Sequence, residues 1–508
     1  MEEKRISIND MPKWFQAGLM VLPVLGILIL IMADKGLDND FYFLYPTGEY
    51  IVKNGFPTTD ILSMHSSMSI IVQQWLASVI FYFVYSKAGT VGMMALLCIC
   101  YLITVYLVIK FCMLISENFF VSVITASLSG ILIVLMFIVT RPQIFTYIIV
   151  LCELVLLESF VKTKRIIFLF PLPLLSLLLV NCHAAMWLMF FVFAAPYAAS
   201  AIPIKLGKIK QEPSCSFVKL LIAGIACAAV GFLNPYGIKA MLYIFSSYGI
   251  EDISNSIMEM QPMAINTLSG TVTAIAVAIA VIATNVFKGK HSTRFVLLFT
   301  GTLLLALVTR KSLAYFLLMG FPCIAFYLKD AKVTLKITKE NKTNKTKTTR
   351  LLLIFLIACA LLVSLIVMLD NSEDNDVGEK AMHNDDLVLT NHEELDDVIE
   401  ILNQEKGEIV LYTGFNSGQY LEFNGYHPYI DGRAELFLEK NNGEFDYYEE
   451  YYDLKKAYIY YKDFLDKYDF NYIITSTEDV YLRTSLLNDE DYEHIYDGEN
   501  VDLFVPKE

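Results

Sequence analysis

Long apolar stretches separated by short polar joins run from the start of the chain to about residue 370, and there the pattern stops. Runs of roughly 17–25 apolar residues are long enough to cross a hydrocarbon core of ~30 Å as helices. They predict spans near 13–32, 90–111, 119–139, 142–160, 166–181, 185–204, 216–233, 270–287, 293–309, 312–328 and 351–369. The first has basic flanks and no small-residue cleavage site, so it reads as an uncleaved signal anchor. From about residue 385 the period changes. Glu408–Tyr412 predicts a buried strand, Asn416-Ser417-Gly418 a helix start, and Pro428–Asp431 a second strand. A helix over about 451–467 and a strand at Asn471–Thr475 follow, and Asp497-Gly498 between alternating runs signals a hairpin. Strand–helix alternation implies a small α/β domain. The expected fold is a polytopic α-helical membrane protein of about eleven transmembrane helices with a C-terminal extracytoplasmic α/β domain. The expected boundary divides residues 1–370, with a first outer loop over 33–89, from residues 371–508.

Composition sharpens this division. Apolar residues make up 56 % of the chain and mean hydropathy is +0.51, which excludes an ordinary soluble protein. Residues 371–508 hold 35 Asp and Glu against 10 Lys and Arg, a net charge of −25. The whole chain is −14, so the first 370 residues carry +11: a cationic body bearing an anionic head. Lys and Arg recur in alternate joins: Lys4/Arg5/Lys13, Lys110, Lys162/Lys164/Arg165, Lys205/Lys208/Lys210, Lys288/Lys290/Arg294 and Lys329 through Arg350. That set is cytoplasmic by the positive-inside rule, so the N-terminus is expected in the cytoplasm and the acidic head outside a plasma membrane. The basic stretch 339–350 reads as a solvated linker against anionic lipid. All nine cysteines precede residue 371, without metal-ligand spacing, so the head folds without disulfides. Gly414-x-x-x-Gly418 lacks the Lys-Ser/Thr of a phosphate loop, and no nucleotide or nucleic-acid partner is expected.

With that orientation, the unusual polar residues fall on one side. Asp38, Asp40, Glu49, Asp60, Gln73, Gln74, Arg141, Asn181, His183, Asn234, Glu259, Arg310 and Lys311 map to outer loops or outer span ends. A transporter needs polar groups near the midplane, and these spans have few. One-sided polarity points to a site at the outer leaflet. Each feature has two readings. Asp38-x-Asp40 is either a pair of solvated loop acids or a base with a positioning acid, or two hard ligands for Mg²⁺ or Mn²⁺. Arg141-Pro142 is a snorkelling arginine before an N1 proline, or a guanidinium for a phosphate. Arg310-Lys311, on the cation-poor side, favours anion binding. Asn181-Cys182-His183 and Asn234-Pro235-Tyr236-Gly237 suit turns, Glu259 is a candidate site acid, and Trp75 fits an interfacial aromatic belt. Asp431-Gly432-Arg433 is a turn with a local salt bridge or a contact reaching back to the body.

A resemblance rests on these residues together. Asp38-x-Asp40-Phe41-Tyr42, Thr47-Gly48, Gly55-x-Pro57-x-x-Asp60-x-x-Ser63, Trp75-Leu76, Arg141-Pro142-Gln143, Asn181-x-His183, Asn234-Pro235-Tyr236-Gly237 and Asp431-Gly432-Arg433 resemble a family of bacterial polytopic membrane proteins. That family is thought similar to the GT-C class of glycosyltransferases, which includes oligosaccharyltransferases and protein O-mannosyltransferases. Leu44 and Gln73-Gln74 depart from the pattern, which has a His and a His-Glu pair there. The resemblance implies a sugar donor on polyprenyl phosphate, a catalytic carboxylate in the first outer loop, and outer cations on the lipid phosphate. Asp38 and Asp40 would be base or metal ligands, with Glu49, Asp60, Arg141, Asn181, His183, Glu259, Arg310 and Lys311 as substrate-binding residues. The expectation is an inverting glycosyltransferase acting on an envelope glycan, lipid or protein, with a non-catalytic scaffold or lipid-glycan binding subunit as the alternative.

Overall fold

The computed structural model describes residues 4–7, 36–206, 209–247, 250, 253, 257–286, 292–329, 334–337 and 392–507. The expected spans 13–32 and 351–369, and the basic stretch 339–350, lie outside the described residues. The rest is mostly helical, with a small C-terminal sheet.

The body opens with α1 (Asn39–Asn54), capped by the Asp38 carboxylate, which accepts from the Asp40 amide at 3.0 Å. It ends at Gly55, whose φ of 89° is open to glycine and strained for other residues. Then come α2 (Trp75–Ser116), broken at Gly89, and α3 (Phe119–Phe137), capped by Asn118. Gly48 lets α1 lie against α2, because a Cβ there would meet the Ser78 carbonyl oxygen at 2.2 Å. The series continues through α4 (Gln143–Thr163), α5 (Leu172–Cys182), α6 (Trp187–Ser200), α7 (Phe217–Val230), α8 (Leu268–Val286) and α9 (Thr293–Val308). A last segment, Arg310–Tyr327, passes through a π turn at Phe316–Gly320 ahead of Pro322. Gly320 is pressed there against the Thr302 hydroxyl.

Among the described residues, α2 and α4 are long and apolar enough to cross a membrane, and further apolar helices run 10–17 residues. The apolar pattern over-counts long helices because turns interrupt it. The run 166–181 splits at Pro171 into a 3₁₀ turn, Ile166–Phe168, and α5. Two small antiparallel pairs lie outside these helices: β1 (Lys4–Ser7) with β4 (Thr334–Ile337), and β2 (Ile204–Leu206) with β3 (Ile209–Gln211).

The head comprises α10 (His392–Leu402), β5 (Leu411–Tyr412), α11 (Gly418–Phe423), α12 (Tyr447–Lys455), α13 (Tyr461–Tyr468), β6 (Tyr472–Ser476), α14 (Val480–Leu487), β7 (Tyr492–Asp497) and β8 (Val501–Pro506). The sheet order is β5-β6-β8-β7, with β5 parallel to β6 and the other pairs antiparallel. Alternation along the strands sends neighbours to opposite faces. Tyr412, Ile473 and Phe504 enter one core, whereas Leu411, Ile474 and Leu503 enter the other. Two expectations need correction. Pro428–Asp431 forms a single bridge from Pro428 to Leu411, since a proline donates nothing to a ladder. The helix expected over 451–467 is two helices, separated by Ala457 at a φ of 60°. The expected hairpin at Asp497-Gly498 is present as β7–β8.

Head and body meet on aromatic rings. Phe423 of α11 packs within 5.2–6.3 Å of Phe41, Tyr42, Tyr45 and Tyr85, measured between ring centroids. His392 stacks on Tyr420 at 4.1 Å, with Tyr42 edge-on to both.

Candidate functional site

Between the body and the head lies a chamber of about 1550 Å³. Its wall includes Asp38, Asp40, Arg141, His183, Glu259, Arg310 and Lys311 from the body. Glu49, Asp60 and Asn181 are not on that wall. Glu49 is held by Lys53 at 2.8 Å on the surface of α1. Asn181 fastens the end of α5, accepting from the Trp75 indole at 2.7 Å and donating to the Leu177 and Leu233 carbonyls.

Three carboxylates converge on one guanidinium. Arg141 Nε lies 2.6 Å from Asp38 Oδ1 and 3.2 Å from Asp40 Oδ2, and Nη1 lies 3.0 Å from Glu259 Oε1. Asp38 and Arg141 are largely buried, whereas Asp40 and Glu259 stay open to the chamber, at 29 % and 37 % side-chain exposure. Local backbone sets the meeting point: the Asp38 amide donates to Thr140 Oγ1 at 2.7 Å, and Pro142 starts α4 directly after Arg141. The charge of Arg141 holds Glu259 below the ordinary carboxyl range against the opposing effect of burial, and Lys311 adds to the lowering.

Arg310 lies on the turn packed against the one that carries Glu259. It is 8 % exposed, in a 3₁₀ turn whose amide donates to the Gln261 carbonyl at 3.0 Å. Its Nε and Nη1 are buried and have no hydrogen-bond partner. Unmatched buried donors on a cavity wall call for an acceptor from outside the chain. His183 is neutral: burial, then Lys311, pushes it down to about 3, and its Nδ1 pairs with Thr146 Oγ1 at 2.8 Å.

Sequence reasoning missed the head's share of the wall. Asn416, Gln419, Glu435, Lys440 and Lys455 all contribute, as does His392, whose Nε2 is buried without a partner in the chain. Nothing local marks them, because the wall exists only once the head sits on the body. Arg433 was legible as either a local salt bridge or a long reach, and it makes both. It binds Asp431 at 2.6 Å, Asp60 of the loop between α1 and α2 at 2.6 Å and Glu422 at 3.2 Å, with all three carboxylates fully buried. Asp60 also accepts from the Ser63 hydroxyl and amide. Burial would raise Asp60, but the charge and hydrogen bonds of Arg433 outweigh it and leave the carboxyl below its ordinary range. Burial, then the charge of Asp431, pushes Glu422 well above that range despite Arg433.

Those opposite shifts act in separate pH windows. The stability from Asp60 is present above an unfolded value of about 3.9 and is lost as pH falls. The stability from a neutral Glu422 is present below about 4.3 and is lost as pH rises through its raised folded value. Glu422→Gln is therefore expected to flatten the fall in thermal midpoint as pH rises above about 4.3, while leaving the acid limb in place. Identical alkaline slopes in native and variant chains would refute a buried neutral Glu422.

Elsewhere, His494, Asp497 and Asp502 bring one ligand atom each within 4.8 Å of one another, but Asp502 already binds Arg483 and His494, and none lines the chamber.

The fold of helical body and small sheet-bearing head is similar to that of solved oligosaccharyltransferase structures. The chain is similar to the Archaeoglobus fulgidus oligosaccharyltransferase in its apo form, with a TM-score of 0.53 and 10 % identity over 91 % of this chain and 70 % of the other. A second structure of that enzyme, tethered through a disulfide bond to an acceptor peptide containing the NVT sequon, matches with the same score and identity over 91 % and 69 %. No protein-family model and no curated protein matches the chain.

Proposed function

We propose that this chain is a membrane glycosyltransferase that moves a sugar from a polyprenyl-phosphate donor to a cell-envelope acceptor on the outer face of the plasma membrane. Residues 1–370 are the membrane body, N-terminus in the cytoplasm, and residues 371–508 the extracytoplasmic head. The observation that carries this reading is Arg310: a buried guanidinium with two unpartnered nitrogens, opening on the same chamber as Asp38 and Asp40. The exposed apolar side chains of α2 and α7, such as Ile99, Tyr106, Ile222 and Ile225, are suited to lipid contact.

The chemistry follows from the wall. Asp40, the more open of the two aspartates, accepts the proton of the acceptor hydroxyl as its oxygen bonds to the sugar's anomeric carbon. The bond from that carbon to the phosphate oxygen breaks, and its electron pair leaves with the phosphate. Arg310, with Lys311 beside it, meets the charge that develops there. Attack opposite the leaving group inverts the anomeric centre. The chamber is larger than the ~300–1,000 Å³ typical of small-ligand pockets, as a site for two substrates requires. Asp38, Asp40 and Glu259 are the donor type a hard divalent cation takes, but Arg141 sits among them, so no step is routed through a metal.

The test is to incubate the purified chain with a panel of lipid-linked sugars and measure released polyprenyl phosphate. Asp40→Asn is expected to lower release by about 10²–10⁴-fold with normal expression. Undiminished release would remove Asp40 from the mechanism. Tight donor binding without any release in the native chain would favour the non-catalytic lipid-glycan binding subunit.

A further inference from the structure

We infer that the Arg141 guanidinium holds the place of a divalent cation among Asp38, Asp40 and Glu259, so that the carboxylate cluster works on a cation supplied by the chain itself. Three observations carry this assignment. The carboxylates come from two segments that are 103 and 118 residues from Arg141 in sequence, yet all three reach its nitrogens within 2.6–3.2 Å. Such convergence in a partly buried wall needs a positive centre, and the planar fork of an arginine supplies fixed donors for it.

Several of the lone pairs a metal would take are already engaged. Asp38 Oδ1 accepts from Arg141 Nε and from the Asp40 amide, and both oxygens of Glu259 accept from Arg141 Nη1. A divalent cation could join them only beside a like charge. The guanidinium is also not poised to swing away. Its side chain is 12 % exposed, its backbone amide donates to the Val139 carbonyl at 2.8 Å, and its carbonyl accepts from the Ile144 amide at 3.2 Å. Thr140, between them, anchors the Asp38 amide.

The chemical consequence concerns Asp40, and it rests on the glycosyl-transfer reading given above. A divalent ion bound directly to a carboxylate lowers its basicity more than the single, delocalised charge of a neighbouring guanidinium does. The cluster of three carboxylates and one guanidinium thereby leaves Asp40 competent without a metal.

Metal uptake can be measured without any sugar donor, so a failed transfer reaction leaves the outcome readable. The full-length, chelator-treated chain in detergent is titrated with Mn²⁺ and followed by electron paramagnetic resonance. The native chain is expected to take up no Mn²⁺ that Asp38→Asn or Glu259→Gln removes. Arg141→Met, checked for native-like melting, is expected to gain one Mn²⁺ per chain at least roughly 100-fold tighter, through loss of a positive charge from an acidic site. Adding Asp38→Asn to Arg141→Met should abolish that gain, and Arg141→Lys should remain metal-free. A stoichiometric Mn²⁺ in the native chain that disappears in Asp38→Asn overturns the assignment. So does a folded Arg141→Met chain that takes up none. Mn²⁺ that survives both carboxylate substitutions lies elsewhere, at His494 and its neighbours for example, and leaves the assignment standing.

Discussion

Arg310→Met is expected to lower sugar transfer by about 10²–10³-fold while the protein melts no earlier than the native chain. The loss corresponds to about 2.7–4 kcal/mol, the cost of removing one preorganised donor from a developing oxyanion. Stability moves the other way. Two guanidinium nitrogens are buried without partners in the chain, so the native fold carries their desolvation with no compensating bond from its own residues. A methionine of similar length removes that burden and keeps the packing. An interaction that burdens the fold but serves the reaction has a characteristic signature: activity falls and melting temperature holds or rises. The pairing of polyprenyl-phosphate release with a thermal melt reads both at once. A variant that melts early, with activity lost in proportion, would recast Arg310 as a structural residue.

Arg433→Met should have the opposite signature, a large loss of stability. Arg433 is the guanidinium shared by Asp60, Asp431 and Glu422, and its side chain is only 9 % exposed. Removing it leaves Asp60 and Asp431 buried without that cation. Stripping one partner from a buried ion pair costs about 3–5 kcal/mol. Asp60 belongs to the loop between α1 and α2 and Asp431 to the head, so the loss falls on a contact that seats the head over the chamber. Limited proteolysis is expected to release the head region faster, and the melting midpoint to drop. Asp60→Asn should cost less, because Arg433 keeps Asp431 and Glu422. If Arg433→Met melts and resists protease like the native chain, the remaining contacts, such as the rings around Phe423 and the His65–Tyr429 hydrogen bond, seat the head without it.

These two arginines also mark how far local reading reaches. Arg310, between two apolar runs, suggests anion binding at the sequence level, and the fold adds that its Nε and Nη1 are buried on the chamber wall without a partner in the chain. Arg433 was legible only as a choice between a turn and a long reach. Asp38 and Asp40 were recognised, and Asp38 also proves to be the cap of α1, a role that the following aromatic run conceals. Arg141 was read as a phosphate ligand, whereas the fold surrounds it with carboxylates. Its partners lie about a hundred residues away, and no spacing rule connects them.

What the sequence alone determined is what repeats within a turn or a strand: the helical body, the change of period into a sheet-bearing head, and the β7–β8 hairpin. Those are local properties, set by the 3.6- and 2-residue periods and by turn chemistry. What only the tertiary structure decided is which charges meet. Coulombic and hydrogen-bonded contacts act over a few ångströms whatever the separation along the chain, so Arg141 with Glu259, and Arg433 with Asp60 across 373 residues, appear only after the body and head have packed.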